Sequence, residues 1–287
     1  MKIGLGLQNT IPWTPGRLLI DTARRAEEAG FSSIATLDRV AYPSYESFVA
    51  LAAAAAATER VGLLTNIVLA PARNAIMLAK QAASLDQISG GRFTLGLGAG
   101  SRRDDFDAAE RDFETRGQRF DQDLDLMHEA WRGEPVGACE RPPSPKPVRD
   151  DRVPILIGGS SDAAIERTVR WGEGWTAGGG PPEVVGPFAQ RVREAWEASD
   201  REGAPRLVAL AYYSLGEDAE AESRENLLHY CEYLGSMGEA IAASVPRTDE
   251  AVRAAVKGFE EAGFEELIFY PTVARLEQID RLAKVVL

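Results

Sequence analysis

Two periods alternate along the chain. Short runs that are apolar almost throughout, as in strands covered on both faces, fall at residues 2–7, 31–37, 61–69, 92–99, 155–157, 175–177, 206–215 and 266–270. Between them the apolar positions recur every three or four residues. Leu19, Ala23 and Ala26 mark a helix over 18–29, and Ile76, Ala79 and Ala83 mark one over 74–89. Phe120, Leu124, Met127 and Trp131 follow in a helix that opens at Thr115, and Val185, Phe188, Val192 and Ala195 in one that starts at Pro181 and Pro182. Alanine fills 51–58, which suits a helix lying close to a sheet. Helices over 249–262 and over the last residues, with Leu276, Ile279, Ala283 and Val286 inward, complete the alternation.

Turn chemistry agrees with this reading. Gly30, Gly90 and Gly133 stand where helices should stop, and Thr115 with Gln118 has the spacing of a capping box. The pentapeptide EEAGF occurs at 27–31 and again at 260–264, each time between a helix and a strand. Eight strands each followed by a helix predict an α/β fold, a (β/α)8 TIM barrel forming a single domain over 1–287, with an open doubly wound sheet as the alternative. Two stretches interrupt the pattern. A proline-rich loop at 134–153 follows the fourth of the longer helices, and a helical tract at 219–247 follows the seventh strand, breaking at Gly235, Gly238 and Pro246. Both are candidates for a lid.

Composition excludes several function classes. With 44 acidic and 32 basic residues the formal charge is −12, and no basic stripe interleaved with aromatics appears, so a nucleic-acid partner is not expected. The longest uncharged run of small residues is far short of the roughly 20 that span a bilayer, and the N-terminus enters a strand directly, so we expect a cytoplasmic protein without a membrane partner. Cys139 and Cys231 form no CxxC pair or ligand cluster with His128 and His229, so no metal site is expected. Both histidines lie within helical stretches, where a solvated or locally satisfied imidazole is the ordinary case.

In a barrel of this kind chemistry sits at the C-terminal ends of the strands. Those ends carry Asp38 and Arg39, Asn66 to Pro71, Gly98 and Gly100, Gly158, Gly159, Ser160 and Ser161, and Gly178 to Gly180. Glycines alternating in a strand, as in GGRFTLGLGAGS at 90–101, let something approach the backbone closely, and we read that as a flat, phosphorylated cofactor. Gly158 to Ser161 also opens a helix, where free N–H groups and two hydroxyls favour a phosphate, the alternative being helix capping by a serine.

Two separated blocks carry a family resemblance. TERVGLLTNIVLAPARNAIMLAKQAASLDQISGGRFTLGLGAG at 58–100, with PILIGGSS at 154–161 and VRWGEGW at 169–175, resembles the bacterial luciferase-like, flavin-dependent monooxygenase superfamily. The resemblance implies reduced FMN, or in sister branches the deazaflavin coenzyme, across the strand ends. It implies a non-proline cis peptide beneath the ring, at Asn66–Ile67 here. Gly98 and Gly100 would leave room for the cofactor, and Gly158, Gly159, Ser160 and Ser161 would take its phosphate. Many members have Asp-His after strand two; here the pair is Asp38-Arg39. Arg39 cannot act as a base, but its cation would stabilise an anionic flavin, a peroxide or a substrate carboxylate, unless it simply pairs with Asp38. Ser101-Arg102-Arg103 lacks the acidic residue that sugar-phosphate-oxidising deazaflavin relatives use there.

The expected activity is therefore a monooxygenase using reduced FMN, supplied by a separate flavin reductase, and molecular oxygen on a small-molecule substrate. Hydride transfer with deazaflavin and a flavin-binding protein without turnover are the alternatives. Leucine and valine on the closing helix suit either barrel packing or a homodimer.

Overall fold

A computed structural model describes residues 1–137, 141–149 and 151–287. Eight strands close into one parallel barrel in sequence order: β1 (Lys2–Gly6), β2 (Ser33–Thr36), β3 (Gly62–Leu69), β4 (Phe93–Gly98), β5 (Ile155–Gly158), β6 (Gly174–Thr176), β7 (Arg206–Tyr213) and β8 (Glu266–Pro271). Leu5 of β1 is in register with Ile34 on one side and with Phe269 on the other, which closes the ring. Cys139 and its part of the proline-rich loop lie outside the described residues.

Side chains divide the strands between two cores. Ala35, Leu64, Leu156, Val208, Leu210 and Ile268 fill the barrel. The alternate residues meet a shell of helices: α1 (Gly16–Ala29), α2 (Ser47–Ala57), α3 (Ala75–Ser89), α4 (Arg103–Ala108), α5 (Arg116–Arg132), α6 (Asp162–Trp171), α7 (Pro182–Glu197), α8 (Glu220–Tyr230), α9 (Ser236–Ala243), α10 (Asp249–Glu261) and α11 (Glu277–Val286). Ile279 and Leu282 of α11 are fully buried, so that face serves barrel packing. The repeated pentapeptide does build one turn twice. Gly30 and Gly263 have φ of 96° and 80°, and Phe31 and Phe264 each donate a backbone bond of 3.0 Å to the carbonyl five residues back.

Three expectations are corrected. Thr115 makes no capping bond; its hydroxyl goes to Asp112 Oδ2 at 2.7 Å. Gly238 does not break the tract after β7 but lies inside α9. The proline-rich loop is not a lid. It connects a helix to the strand after it, so it lies at the N-terminal ends of the strands, where Lys146 O accepts from Gln87, Val148 N–H donates to Asp86 and Arg149 pairs with Glu173. The tract 219–247 follows a strand and therefore rises over the opposite end.

Candidate active site

At the C-terminal ends of the strands, β3 departs from regular pairing. Its register against β4 slips between Thr65 and Val68, and the Asn66–Ile67 peptide is cis, as the resemblance implied. Thr65 bridges the irregularity, with its hydroxyl donating to Gly96 O at 2.9 Å and accepting from Gly96 N–H at 2.8 Å. The slip turns the half-buried Ile67 side chain across the neighbouring strands.

The strand glycines answer to this arrangement. A Cβ on Gly98 would stand 2.5 Å from Ile67 Cδ1, one on Gly158 3.0 Å from Ile67 Cγ2, and one on Gly96 1.9 Å from Thr65 O. What comes close to β4 is therefore β3 itself. Gly100, with φ of 80°, faces Phe106 of α4 in the same way, at 2.8 Å. Ile67, Gly98 and Gly158 thus form one packed unit under the mouth, and Asn66 joins it by accepting the Thr176 hydroxyl at 2.7 Å.

Several buried polar atoms here lack a well-formed hydrogen bond. Asn66 Nδ2, Thr36 Oγ1 and Tyr270 Oη belong to residues 5%, 0% and 2% exposed, from β3, β2 and β8, and Asn66 lies close enough to the Tyr270 hydroxyl to engage it weakly. Unpartnered groups at this depth are uncommon and suit a polar ligand edge. Burial holds the Tyr270 phenol well above its ordinary value, so it stays a neutral hydroxyl. On the rim, Gly159, Ser160 and Ser161 are exposed at the start of α6, and no side-chain bond caps that helix. Gly159 has φ of 120°, and the Ser161 hydroxyl makes no capping bond. These residues fit a phosphorylated flavin: donors for a polar ring edge below, a helix N-terminus with serine hydroxyls beside it.

Asp38 and Arg39 do not pair with each other. Asp38 is 5% exposed and binds Arg73 at 2.8 Å, the Leu69 N–H at 3.1 Å and the Ser47 hydroxyl at 3.3 Å. Arg39 is held by Asp105 and Asp104, each at 2.7 Å. Asp105, fully buried, also accepts the N–H groups of Val40 and Ala41 at 2.8 Å. Two carboxylates therefore engage the guanidinium that the resemblance suggested for an anion. The short helix α4 that supplies them has no readable periodicity, though its pair of aspartates was a visible signal.

The tract after β7 covers the mouth. Ser223 and Asn226 of α8 bond Thr272 at 2.7 and 3.0 Å, tying the helix to the end of β8. Farther along α8, the Tyr42 hydroxyl meets His229 Nδ1 at 2.7 Å, so this histidine is satisfied by the loop after β2 rather than locally. Burial, with the nearby Tyr230, pushes the Tyr42 phenol up to about 12. Tyr230 reaches the barrel core, and with Leu7, Ile11, Leu37, Tyr212 and Tyr270 it surrounds a cavity of only about 20 Å³. Ligand pockets run from about 300 Å³ upward, so this cavity as it stands is too small for a cofactor-sized ligand. A larger cavity of about 570 Å³, lined by His128, Arg132, Trp171 and Arg201, opens at the N-terminal ends of β5 and β6. Barrel topology places it away from the strand ends where chemistry is found.

A closed barrel of eight parallel strands, with the tract after β7 over its mouth, defines a TIM-barrel protein. Residues 6–284 match the family described as luciferase-like monooxygenase, and the chain belongs to that family. An uncharacterised protein of Mycobacterium tuberculosis is 29% identical over 211 residues, covering 63% of this chain and 72% of its own. Pyrimidine monooxygenase RutA of Variovorax paradoxus is 25% identical over 267 residues, covering 84% of this chain and 69% of its own. Among solved structures, monooxygenase RslO1 from Streptomyces bottropensis superposes with a TM-score of 0.81 at 24% identity, over 99% of this chain and 97% of its own. An F420-dependent secondary alcohol dehydrogenase gives 0.80 at 19% identity, over 99% and 98%. Those two likenesses concern the fold. Among the described residues no helix is long and apolar enough to cross a membrane.

Proposed function

We propose that residues 1–287 act as one barrel domain, a flavin-dependent monooxygenase that uses reduced FMN and molecular oxygen to oxidise a small organic substrate, with the reduced cofactor supplied by a separate reductase. The observation that carries the reading is the family match, which spans nearly the whole chain, together with RutA, a monooxygenase, aligned over 84% of it. Bound, the reduced flavin supplies the electrons with which oxygen is activated.

The chain's own residues provide the setting. Gly159, Ser160 and Ser161 at the start of α6 hold the phosphate through free N–H groups, hydroxyls and the helix dipole. Ile67, supported by Gly98 and Gly158, offers an apolar face to the ring, and Asn66 Nδ2 donates to its polar edge. Asp38 and Arg39 position the loops after β2 and β3 by their pairs with Arg73, Asp104 and Asp105. Leu227 and Tyr230 exclude water from the mouth, which protects a reactive intermediate from hydrolysis.

Titration of the purified protein with FMN and with deazaflavin side by side, followed by photoreduction and exposure to oxygen, tests the reading. FMN should bind, and oxygen uptake by the reduced complex should exceed that of free reduced FMN. Tight FMN binding without that uptake would sink the monooxygenase assignment, and selective deazaflavin binding would replace it with hydride transfer.

A further inference from the structure

The lid meets the barrel over an arginine whose charge no carboxylate among the described residues answers. Arg102, just beyond β4, has the Tyr230 ring 4.5 Å from its guanidinium carbon and the Tyr233 ring 4.0 Å away. Its Nη2 donates to Tyr230 O at 3.2 Å, and its buried Nε has no acceptor. Other arginines around the mouth are neutralised: Arg39 by Asp104 and Asp105, Arg73 by Asp38 and Glu46, Arg275 by Asp218 and Glu222. Arg116, which also lacks a carboxylate, is tied by Nε and Nη1 to the carbonyls of Gly100 and Phe113 at 3.0 and 2.7 Å. Among the described residues Arg102 has no carboxylate partner.

A desolvated guanidinium stacked between two tyrosine rings and touched by their phenols is partly compensated, but its Nε remains without an acceptor. The orphaned Nε and the weakly engaged Nη2 form the side-on edge that a carboxylate takes bidentately. Tyr230, which covers this guanidinium, also lines the mouth cavity, so the cation and the space for a substrate share a wall. In a protein of net charge −12 an anion is not drawn in by the overall field and needs a local receptor.

We propose that Arg102 binds the carboxylate of the organic substrate, and that the enzyme selects substrates bearing one. The carboxylate takes the Nε–Nη2 edge, displacing the Tyr230 carbonyl, while the Tyr230 and Tyr233 rings cover the remainder of the substrate. The inference rests on the reading of the mouth as the active site. It is independent of which flavin the site uses.

Binding without turnover tests it. Calorimetric titration of the protein, with and without FMN, uses two matched pairs of probes: phenylacetate with phenylacetamide, and hexanoate with hexanamide. Each carboxylate should bind at least about tenfold more tightly than its amide. Arg102→Gln should erase that preference, and Arg102→Lys, which keeps the charge but not the fork, should retain part of it; far-UV circular dichroism confirms that both variants fold. No preference in either pair for the wild type, or one that survives in Arg102→Gln, overturns the proposal. A parallel titration compares FMN with riboflavin. Arg102→Gln should leave that ratio unchanged, and its collapse would assign Arg102 to the cofactor's phosphate instead. Failure of the flavin reading itself would show as absent FMN binding to the wild type with the carboxylate preference intact.

Discussion

Gly98→Ala decides what the glycines of β4 are for. The new Cβ would stand 2.5 Å from Ile67 Cδ1, 3.2 Å from Cγ1 and 3.8 Å from Gly158 O, whereas carbon atoms in contact prefer about 3.5–4.0 Å. Overpacking of this kind costs about 1–3 kcal/mol, and the lower unfolded-state entropy of alanine returns about 0.4–1. The net expectation is a loss of about 1–2 kcal/mol in the flavin-free protein. Ile67→Val removes Cδ1, the atom that clashes, at its own cost of about 0.5–1.5 kcal/mol. In that background Gly98→Ala should be close to neutral, so the two substitutions should couple by about 1 kcal/mol or more. Urea unfolding followed by far-UV circular dichroism on the wild type, both single variants and the double variant measures the cycle. A neutral Gly98→Ala, or the same cost in both backgrounds, would refute the packing argument. Were the glycine kept for the cofactor alone, the substitution would spare stability and weaken only flavin binding.

Further outcomes follow from the same geometry. Replacing Ser160 and Ser161 together with alanine should weaken FMN binding about tenfold or more and leave riboflavin unaffected; an unchanged ratio of the two affinities would remove the phosphate from this turn. Asp123, 5% exposed on α5 with Oδ2 unbonded, has its carboxyl pushed up to about 6 chiefly by burial, against the opposing charges of Arg119 and Arg111. Its folded value lies above the unfolded value of about 3.9, so its contribution is fully present below about pH 4 and is lost as pH rises through about 6. Asp123→Asn should therefore be near neutral at pH 4 and stabilising by about 1–2 kcal/mol at pH 7.5, and a pH-independent effect in urea unfolding would contradict this. Tyr42→Phe removes the 2.7 Å bond to His229 and should speed hydrogen exchange in α8 a few-fold, by about 0.5–1 kcal/mol of lost restraint. Unchanged exchange there would mean that this contact does not hold the lid.

Much of the fold is legible in the chain because burial on both faces writes a strand as an apolar run and burial on one face writes a helix at intervals of three and four. The EEAGF turns were legible too, since a left-handed position followed by a buried apolar residue is decided within six residues. The site was legible only in part. Alternating glycines at 96 and 98 signal a close approach, but composition does not say whether the neighbour is a ligand or the adjacent strand, and here it is Ile67 and Thr65. The helix α4 escaped because six residues with a single large apolar side chain, Phe106, carry no period; it is held by Asp105, whose partners lie some 65 positions away. Arg39 and Arg102 look alike in sequence, each a basic residue just past a strand. Only their neighbours make one a neutralised brace and the other an unanswered cation.

By itself, then, the sequence determined the order of eight βα units and the family, which rest on local periodicity, turn residues and contiguous motifs, whereas closure into a barrel rather than an open sheet was decided by the pairing of β1 with β8. Chain order even settles which insertion covers the mouth, because a segment that follows a strand emerges at the strand's C-terminal end and one that follows a helix emerges at the other. Tertiary structure alone decided the rest: the slip of β3 that drives Ile67 against Gly98 and Gly158, the partners that occupy Asp38 and Arg39, and the tyrosines from α8 and beyond it that enclose Arg102. Those are contacts between residues distant in the chain, and their geometry is set by how the barrel's neighbours pack rather than by anything a single segment encodes.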